Sequence, residues 1–298
     1  MSKPTRSVLV DIELRLKNAG VPSPRVDAEL LVAFSLGIER NRTGLVREID
    51  DDQYREIEKL VEKRVRRIPL QHILGEQGFR RLVLEVGPGV FIPRPETELL
   101  VESTVRYLKD KKQYRNIVID LCAGSGAIAL ALATEVGNSD VYAVEKSLEA
   151  FSYLTKNVAA NQDLMKTVNS KFIALNASIL EPITEFEKLN GIVDALVSNP
   201  PYIPNKMIPR EPEVKNHEPE MALFGGKDGL DFVRVVIKLA QDLLKPGGFI
   251  AIEHADVQGS TVEETGVPYL LLESKSFTKV EDRRDLNGLA RYTVGIKI

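Results

Sequence analysis

From about residue 117 to residue 253 the chain alternates short apolar runs with longer amphipathic ones, and this restricts the fold more than any other feature. Ile117–Leu121, Val141–Val144, Phe172–Leu175, Ile192–Ser198 and Phe249–Glu253 have the length and apolar character of strands. Ala127–Glu135, Leu148–Asn161 and Leu230–Leu244 read as helices between them. Such alternation predicts an α/β domain with a mostly parallel sheet covered on both faces. A last pair, Tyr269–Leu272 and Tyr292–Ile296, is expected to supply antiparallel edge strands.

The first 70 or so residues have a different period. Ser7–Lys17, a segment opening at Ser23-Pro24 and ending at Gly37, and a third from Asp50-Asp51-Asp52 towards Pro69 read as helices. Leu82–Val86 and Gly89–Ile92, joined by Gly87-Pro88, read as a β-hairpin or extended connector, and a helix follows from about Glu96 to Leu108. The expected boundaries are a helical bundle over 1–78, a connector over 79–95 and the α/β domain over 96–298.

Composition narrows the function classes. With 298 residues, 43% hydrophobic and 28% charged, the chain can build sizeable cores. A net charge of −3 and a pI near 5.8 argue against a strongly basic nucleic-acid surface. One cysteine, Cys122, permits no internal disulfide, which fits a reducing compartment. The first residues form no long apolar leader, and no stretch approaches the roughly 20 apolar residues that span a bilayer. A cytoplasmic protein with no membrane partner is expected. The three histidines, His72, His217 and His254, are too scattered to suggest a metal site. The basic run Lys63, Arg64, Arg66, Arg67 is expected to be the solvated face of a helix, the alternative being a contact with an acidic partner surface.

Three motifs carry chemistry. Asn199-Pro200-Pro201-Tyr202 follows the apolar run that ends at Ser198. Two prolines have fixed φ and no N–H, so the ladder must stop there and leave a stiff, extended chain. The Asn199 side chain and the Pro200 carbonyl are then two acceptors on a rigid scaffold beside the Tyr202 ring, which suits gripping a planar NH2 group. Asp120-Leu121-Cys122-Ala123-Gly124-Ser125-Gly126 lies at the first strand-to-helix turn, where glycines let a ligand approach the backbone and free N–H groups face it. It lacks the Lys-Ser/Thr of a triphosphate loop. Glu145 ends the next strand, nineteen residues after Gly126, where a doubly wound sheet would bring its carboxylate to a ribose.

Together these motifs resemble a class I S-adenosylmethionine-dependent methyltransferase acting on an amino or amide nitrogen. Pro93-Arg94-Pro95-Glu96-Thr97-Glu98, Glu218-Pro219, Ala222-Leu223, Gly225-Gly226-Lys227-Asp228-Gly229-Leu230 and Glu253-His254 narrow the resemblance. So do Arg25-x-Asp27-Ala28-Glu29-Leu30-Leu31, Arg67-x-Pro69 and Gly75. Over nearly the whole chain it is similar to the HemK/PrmC family of release factor N5-glutamine methyltransferases. The resemblance implies a Rossmann-like class I methyltransferase domain with a seven-stranded, mostly parallel sheet, preceded by a helical substrate-docking domain and a β-hairpin connector. It implies S-adenosylmethionine as cofactor and a class 1 peptide chain release factor as protein substrate. The methyl acceptor would be the glutamine of the release factor's Gly-Gly-Gln motif, a modification belonging to translation termination.

The implied cofactor contacts are Asp120, Cys122, Ala123, Gly124, Ser125, Gly126, Glu145, Ser178, Ile179 and Asn199. Those to substrate are Asn199, Pro200, Pro201 and Tyr202, with Asn199, Pro200 and Tyr202 carrying the chemistry. Two positions depart from the family pattern. Cys122 stands where Gly is usual, so that turn must use a residue with a Cβ. Ser178-Ile179 stands where Asp and an apolar residue are usual, leaving a hydroxyl in place of a charged acceptor near the adenine. Arg94–Glu98 is a candidate roof over the cofactor, and His254, at a strand end, either touches the pocket or is structural. Other acceptors compatible with the motifs are a ribosomal-protein glutamine and the N6 amine of adenine in nucleic acid. No direct nucleic-acid contact is expected, and a monomer is.

Overall fold

The computed structural model describes residues 2–111, 114–259 and 266–298, which fall into two units, each with its own apolar core. One takes the chain as far as Glu76 and adds Pro209–His217; the other holds Gln77–Ile208 and Glu218–Ile298. No helix among the described residues is long and apolar enough to cross a membrane.

The first unit is a small bundle of α1 (Thr5–Asn18), α2 (Pro24–Leu36), α3 (Asp51–Val65) and α4 (Leu70–Leu74), with a two-residue ladder of β1 (Lys3–Pro4) and β2 (Glu48–Ile49). Asp50 opens α3 through a capping box. Its carboxylate accepts from Gln53 N at 2.8 Å, while the Gln53 side chain accepts from Asp50 N at 3.1 Å. Ile12, Leu16, Leu31, Ile49, Ile57 and Val61 form the core.

The basic run at the end of α3 is solvated only in part: Lys63 and Arg66 are exposed, while Arg64 and Arg67 turn inward. Arg64 is only 5% exposed, and its Nε donates to Asp27 Oδ2 at 2.7 Å. Arg64 Nη1 reaches Glu213 Oε1 at 2.8 Å, and Arg67 clamps both oxygens of Glu213 at 2.6 Å each. A charge taken out of water must be paired, so these two arginines are committed inside the unit.

The second unit opens with a hairpin, β3 (Glu76–Phe79) and β4 (Leu82–Glu85). Its turn is Arg80-Arg81 and not Gly87-Pro88, and Gly89–Ile92 is not a strand. Arg80 takes the left-handed φ of +53° that a two-residue turn needs. Its side chain reaches Glu102 and both oxygens of Glu135, pinning the tip. Val86 and Val90 instead pack against Ala150 and Tyr153 of a later helix, and Gly87 leaves no room for a Cβ against the Tyr153 ring.

Then follow α5 (Thr97–Lys111), β5 (Asn116–Leu121), α6 (Ala127–Glu135), β6 (Ser139–Glu145), α7 (Leu148–Ala160), α8 (Gln162–Thr167), β7 (Lys171–Asn176) and β8 (Val193–Ser198). After β8 the chain forms α9 (Pro212–His217, in the first unit), α10 (Glu220–Leu223), α11 (Asp231–Leu243) and β9 (Leu244–Glu253). It ends with α12 (Val267–Glu273), β10 (Phe277–Arg284) and β11 (Ala290–Lys297). The sheet order is β10-β11-β9-β8-β5-β6-β7. β11 runs antiparallel to both neighbours, and the other pairs are parallel. This is the mostly parallel α/β sheet that the alternation predicts, with the seven strands that the resemblance implies.

Tyr269–Leu272 is not an edge strand; it lies in α12, with Pro268 in the first turn, where its missing N–H costs nothing. The edge is β10, whose Phe277-Thr278-Lys279-Val280-Glu281-Asp282-Arg283-Arg284 is charged and largely exposed, as open edges commonly are. Separate apolar clusters cover the two faces. Leu100, Leu130, Val118 and Val197 belong to one, and Ile119, Leu196, Val236 and Ile250 to the other. Strand order reverses between β5 and β8. In such sheets the crevice at the carboxyl ends of these two strands is where ligands bind.

Candidate active site

Register brings the two main motifs together. Leu121 of β5 pairs with Ser198 of β8, and the Ser198 hydroxyl donates to the Leu121 carbonyl at 2.7 Å in a fully buried bond. The glycine-rich turn and Asn199 therefore leave the sheet from adjacent strand ends at the switch point.

The turn is tight. Ala123 N donates to Val144 O at 2.9 Å and Gly126 N to Ala123 O at 2.8 Å. Gly124 and Gly126 take φ of +56° and +85°, and Cys122 takes +62°, a left-handed conformation rare for a residue with a Cβ. Burial pushes the Cys122 thiol well up, with the Glu145 and Asp120 carboxylates adding to it, so the thiol is neutral. Asp120 is fully buried; Oδ2 accepts from Ala129 N at 3.0 Å, and Oδ1 has no hydrogen-bond partner. Its pKa is raised by burial above all. A Cβ added at Gly124 would meet no heavy atom within 4 Å, so open space lies over the turn.

Glu145 is tied to this turn directly. Its Oε2 accepts from Gly124 N at 2.8 Å and its Oε1 from Ser147 N at 2.7 Å. Burial raises its pKa against those N–H bonds. Glu145 pairs with Asn176 across β6 and β7, and Ala177 N donates to Glu145 O at 3.1 Å. Ser178 and Ile179 follow at once. The Ser178 hydroxyl accepts from Leu180 N at 3.3 Å, capping a turn, and Ile179 is buried in the apolar cluster against which Cys122 packs. The set of residues fits a nucleoside-bearing ligand: a backbone turn with free space, a carboxylate at the next strand end, and an apolar residue beyond.

Backbone packing holds the Asn199–Tyr202 segment. A Cβ at Gly225 would collide with the Pro201 carbonyl, and one at Gly229 with the Tyr202 carbonyl. Only glycine permits that approach. Gln258 Nε2 donates to Tyr202 O at 2.9 Å; Ile203 N donates to Leu223 O at 2.8 Å, and Gly225 N to Ile203 O at 2.9 Å. Pro200 and Pro201 are buried, while Asn199 and Tyr202 are half-buried. Burial pushes the Tyr202 phenol up, with Glu253 adding to the shift, so it stays protonated near neutral pH.

Sequence reasoning gave no role to two further groups. Asn157, buried on α7, donates to Ser125 O at 3.0 Å, bracing the glycine turn from behind. An Asn in the interior of an apolar helix face is the signal that could have found it. Glu253 is 3% exposed at the end of β9. Arg94, expected in a roof, bonds Glu218 at 2.6 Å and lies 4.8 Å from the Phe91 ring centre. His254 is fully buried; Nδ1 bonds Ala255 O at 2.9 Å and Nε2 bonds Thr293 Oγ1 at 2.8 Å, with Asp282 Oδ1 3.5 Å away. Its place is structural.

Comparison with known proteins bears on the whole chain. Residues 7–75 match the PrmC N-terminal domain, and residues 95–210 match the methyltransferase small domain. A "release factor glutamine methyltransferase" of Streptomyces coelicolor is 42% identical over 95% of this chain and 94% of its own length. The chain belongs to the release factor glutamine methyltransferase family. A second relative of that name, from Mycolicibacterium smegmatis, is 41% identical over 95% of this chain and 94% of its own. Among solved structures, the "protein-(glutamine-N5) methyltransferase (release factor-specific)" of Alicyclobacillus acidocaldarius is 28% identical, with a TM-score of 0.40 over 72% of this chain and 98% of that one. Membership in this methyltransferase family agrees with the cofactor and enzyme class that the resemblance implied.

Proposed function

We propose that this chain transfers a methyl group from S-adenosylmethionine to the side-chain amide nitrogen of the glutamine in the Gly-Gly-Gln motif of a class 1 peptide chain release factor. The observation that carries the reading is the Leu121–Ser198 pairing, which sets a nucleoside-sized turn beside the Asn199-Pro200 acceptors. The donor supplies an electrophilic sulfonium methyl group. What the protein must supply is orientation, because an amide nitrogen is a poor nucleophile whose lone pair is delocalised into its carbonyl.

In this reading the Asn199 side-chain oxygen and the Pro200 carbonyl each accept one N–H of the glutamine amide. That aims the nitrogen and stabilises the positive charge that grows on it. Orientation of this kind contributes up to about 7–11 kcal/mol in well-aligned intramolecular systems. Tyr202, held neutral, packs on the amide plane and excludes water. Gly124 leaves space for the donor, Glu145 holds its ribose, and Ile179 and Ser178 lie near its adenine, with Asp120, Cys122, Ala123, Ser125 and Gly126 shaping the cradle. The first unit, matched to the PrmC N-terminal domain, docks the release factor, and the reaction takes place in the cytoplasm.

The experiment is direct. Incubate the protein with labelled S-adenosylmethionine and purified release factor, then map the methyl group. Label on the Gly-Gly-Gln glutamine is expected. Label confined to RNA, DNA or a ribosomal protein overturns the reading.

A further inference from the structure

Glu253 is the last residue of β9, and strand register puts it beside the amide-gripping motif. Val197 pairs with Ala251 and Ser198 with Ile252, so one further step along both strands brings Glu253 level with Asn199. Directly paired residues of parallel strands project to the same face. Val197 and Ala251 share one apolar cluster, and Glu253, paired with Tyr292 of the same cluster, lies on that face next to the point at which Asn199 leaves β8. The carboxylate is 3% exposed, and its Oε2 has no hydrogen-bond partner. A buried carboxylate oxygen left unbonded is costly, on the order of 1–3 kcal/mol, and calls for a reason.

The elements around Glu253 bring polar and charged groups to it. Arg94 and Glu96 come from the segment before α5, Thr97 from its first turn, Arg291 from β11 and Tyr202 from the segment after β8. The two arginines are largely spoken for: Arg94 bonds Glu218 at 2.6 Å and Arg291 bonds Asp285 at 2.8 Å. His254, next along the chain, has both ring nitrogens engaged with Thr293 and the Ala255 carbonyl. Burial, then the nearby Glu96, push the Glu253 pKa up to about 7, against the Thr97 hydroxyl and the two arginines.

We propose that the Glu253 carboxylate takes up the amide proton as the methyl group is transferred, a role that rests on the reading of the site given above. A methylated amide nitrogen that still holds both hydrogens is a strong acid, so one N–H bond must break as the N–C bond forms. The electron pair of the cleaved S–C bond stays on the donor sulfur. The attack turns the nitrogen tetrahedral and swings one hydrogen off the Pro200 carbonyl; the pair of that N–H bond restores the neutral amide, and the proton joins Glu253 Oε2, to be lost to water when the products leave. A carboxylate also sets negative charge beside the nitrogen while positive charge grows there.

The test is the single-turnover rate of methyl transfer to the release factor, followed from about pH 6 to pH 9 for the wild type, E253Q and E253D, and repeated in heavy water. The wild-type rate is expected to rise with pH through about 7 and level off, with a solvent isotope effect, since only the ionised form accepts a proton. E253Q should lose roughly 10²–10⁴-fold at the plateau, and with it both the pH dependence and the isotope effect. E253D should keep a limb, displaced along the pH axis. A Gln variant whose profile runs parallel to the wild type, or whose defect lies in KM alone, overturns the proposal. If E253Q does not fold, E253D decides: a limb left at the wild-type position counts against Glu253. Should the wild type label adenine and not glutamine, the reading of the substrate falls, while the same profiles still judge Glu253, because an exocyclic amine sheds a proton as well.

Discussion

The Asn157 side chain satisfies both main-chain groups of Glu85: Oδ1 accepts from Glu85 N at 2.7 Å and Nδ2 donates to Glu85 O at 3.0 Å. The same amide donates to Ser125 O at 3.0 Å. One buried residue of α7 thus ties the end of β4 to the glycine-rich turn. Leucine has the volume but leaves three backbone groups without this partner, of which the buried Ser125 carbonyl costs about 1–3 kcal/mol and the part-buried groups of Glu85 less. Asn157→Leu should lower the denaturation midpoint and raise the Kd for S-adenosylmethionine. Isothermal titration at a temperature where the variant is folded separates the two effects, and an unchanged Kd would mean that the turn holds itself.

Cys122 occupies a conformation that costs a residue with a Cβ roughly 1–2 kcal/mol, while glycine there would lose about 0.5–1 kcal/mol in chain entropy. The difference favours Cys122→Gly by up to about 1.5 kcal/mol in urea denaturation, with donor affinity kept or improved. Cys122→Val, β-branched at φ +62°, should destabilise the fold and weaken donor binding. Equal stability of the two variants would contradict the strain argument.

Asn199→Ala should bind the donor almost as the wild type does and lose transfer by orders of magnitude, because its contact is with the reacting amide. Glu145→Ala should do the reverse in part, weakening donor binding by about 1–3 kcal/mol. It also frees the Gly124 and Ser147 amides that Glu145 now accepts from, so the loss should exceed that of Glu145→Gln, which keeps one acceptor. Equilibrium dialysis with labelled donor reads both. An Asn199 variant that still methylates at the wild-type rate would refute the amide grip.

Arg64, Arg67, Asp27 and Glu213 form one buried network, and breaking it should be felt as stability. Glu213 loses solvation on burial, but the bonds from Arg67 and Arg64 more than offset this and hold its pKa below the ordinary carboxylate value. A depressed pKa means stability that is fully present above the unfolded-state value and lost as pH falls through the folded one. Wild type should therefore lose stability against Glu213→Gln as a comparison on the acid side of about pH 4.5 only. At neutral pH the Gln variant should be the weaker by about 1–3 kcal/mol, with reduced salt dependence because Arg64 is buried and Arg67 half-buried.

Much of this was legible in the sequence, for particular reasons. Strands β5, β8 and the end of β9 announce themselves because both of their faces are buried and their runs are apolar, while β6 and the half-buried edge strand β7 still carry the apolar runs Val141–Val144 and Phe172–Leu175. The site motifs were readable because Gly124, Gly126, Pro200 and Pro201 constrain backbone geometry whatever surrounds them. β10 was hidden because an edge strand such as Phe277–Arg284 is charged and shows no apolar run. The hairpin was misplaced because Gly87-Pro88 has the chemistry of a turn, yet Gly87 serves to admit Tyr153. The fate of Arg64 and Arg67 could not be read at all, since their partner Glu213 lies 149 and 146 residues away in sequence.

Glu253 allows a prediction that needs no substrate. Its pKa of about 7 lies above the ordinary value of 4.5, so the folded protein binds this proton more tightly than the unfolded chain does. Stability from that source is present below about pH 4.5 and is lost as pH rises through the folded pKa. At pH 8 the wild type carries an ionised, buried carboxylate with an unbonded oxygen, and Glu253→Gln removes that charge. The variant should gain roughly 3 kcal/mol over wild type at pH 8, the equivalent of about 2.5 units at 1.36 kcal/mol each, and nothing at pH 4. Guanidinium denaturation at the two pH values measures it. A gain at pH 8 together with lost transfer would place Glu253 among groups kept for chemistry at the expense of stability. Equal stability at both pH values would mean that the carboxylate is better solvated than its burial implies.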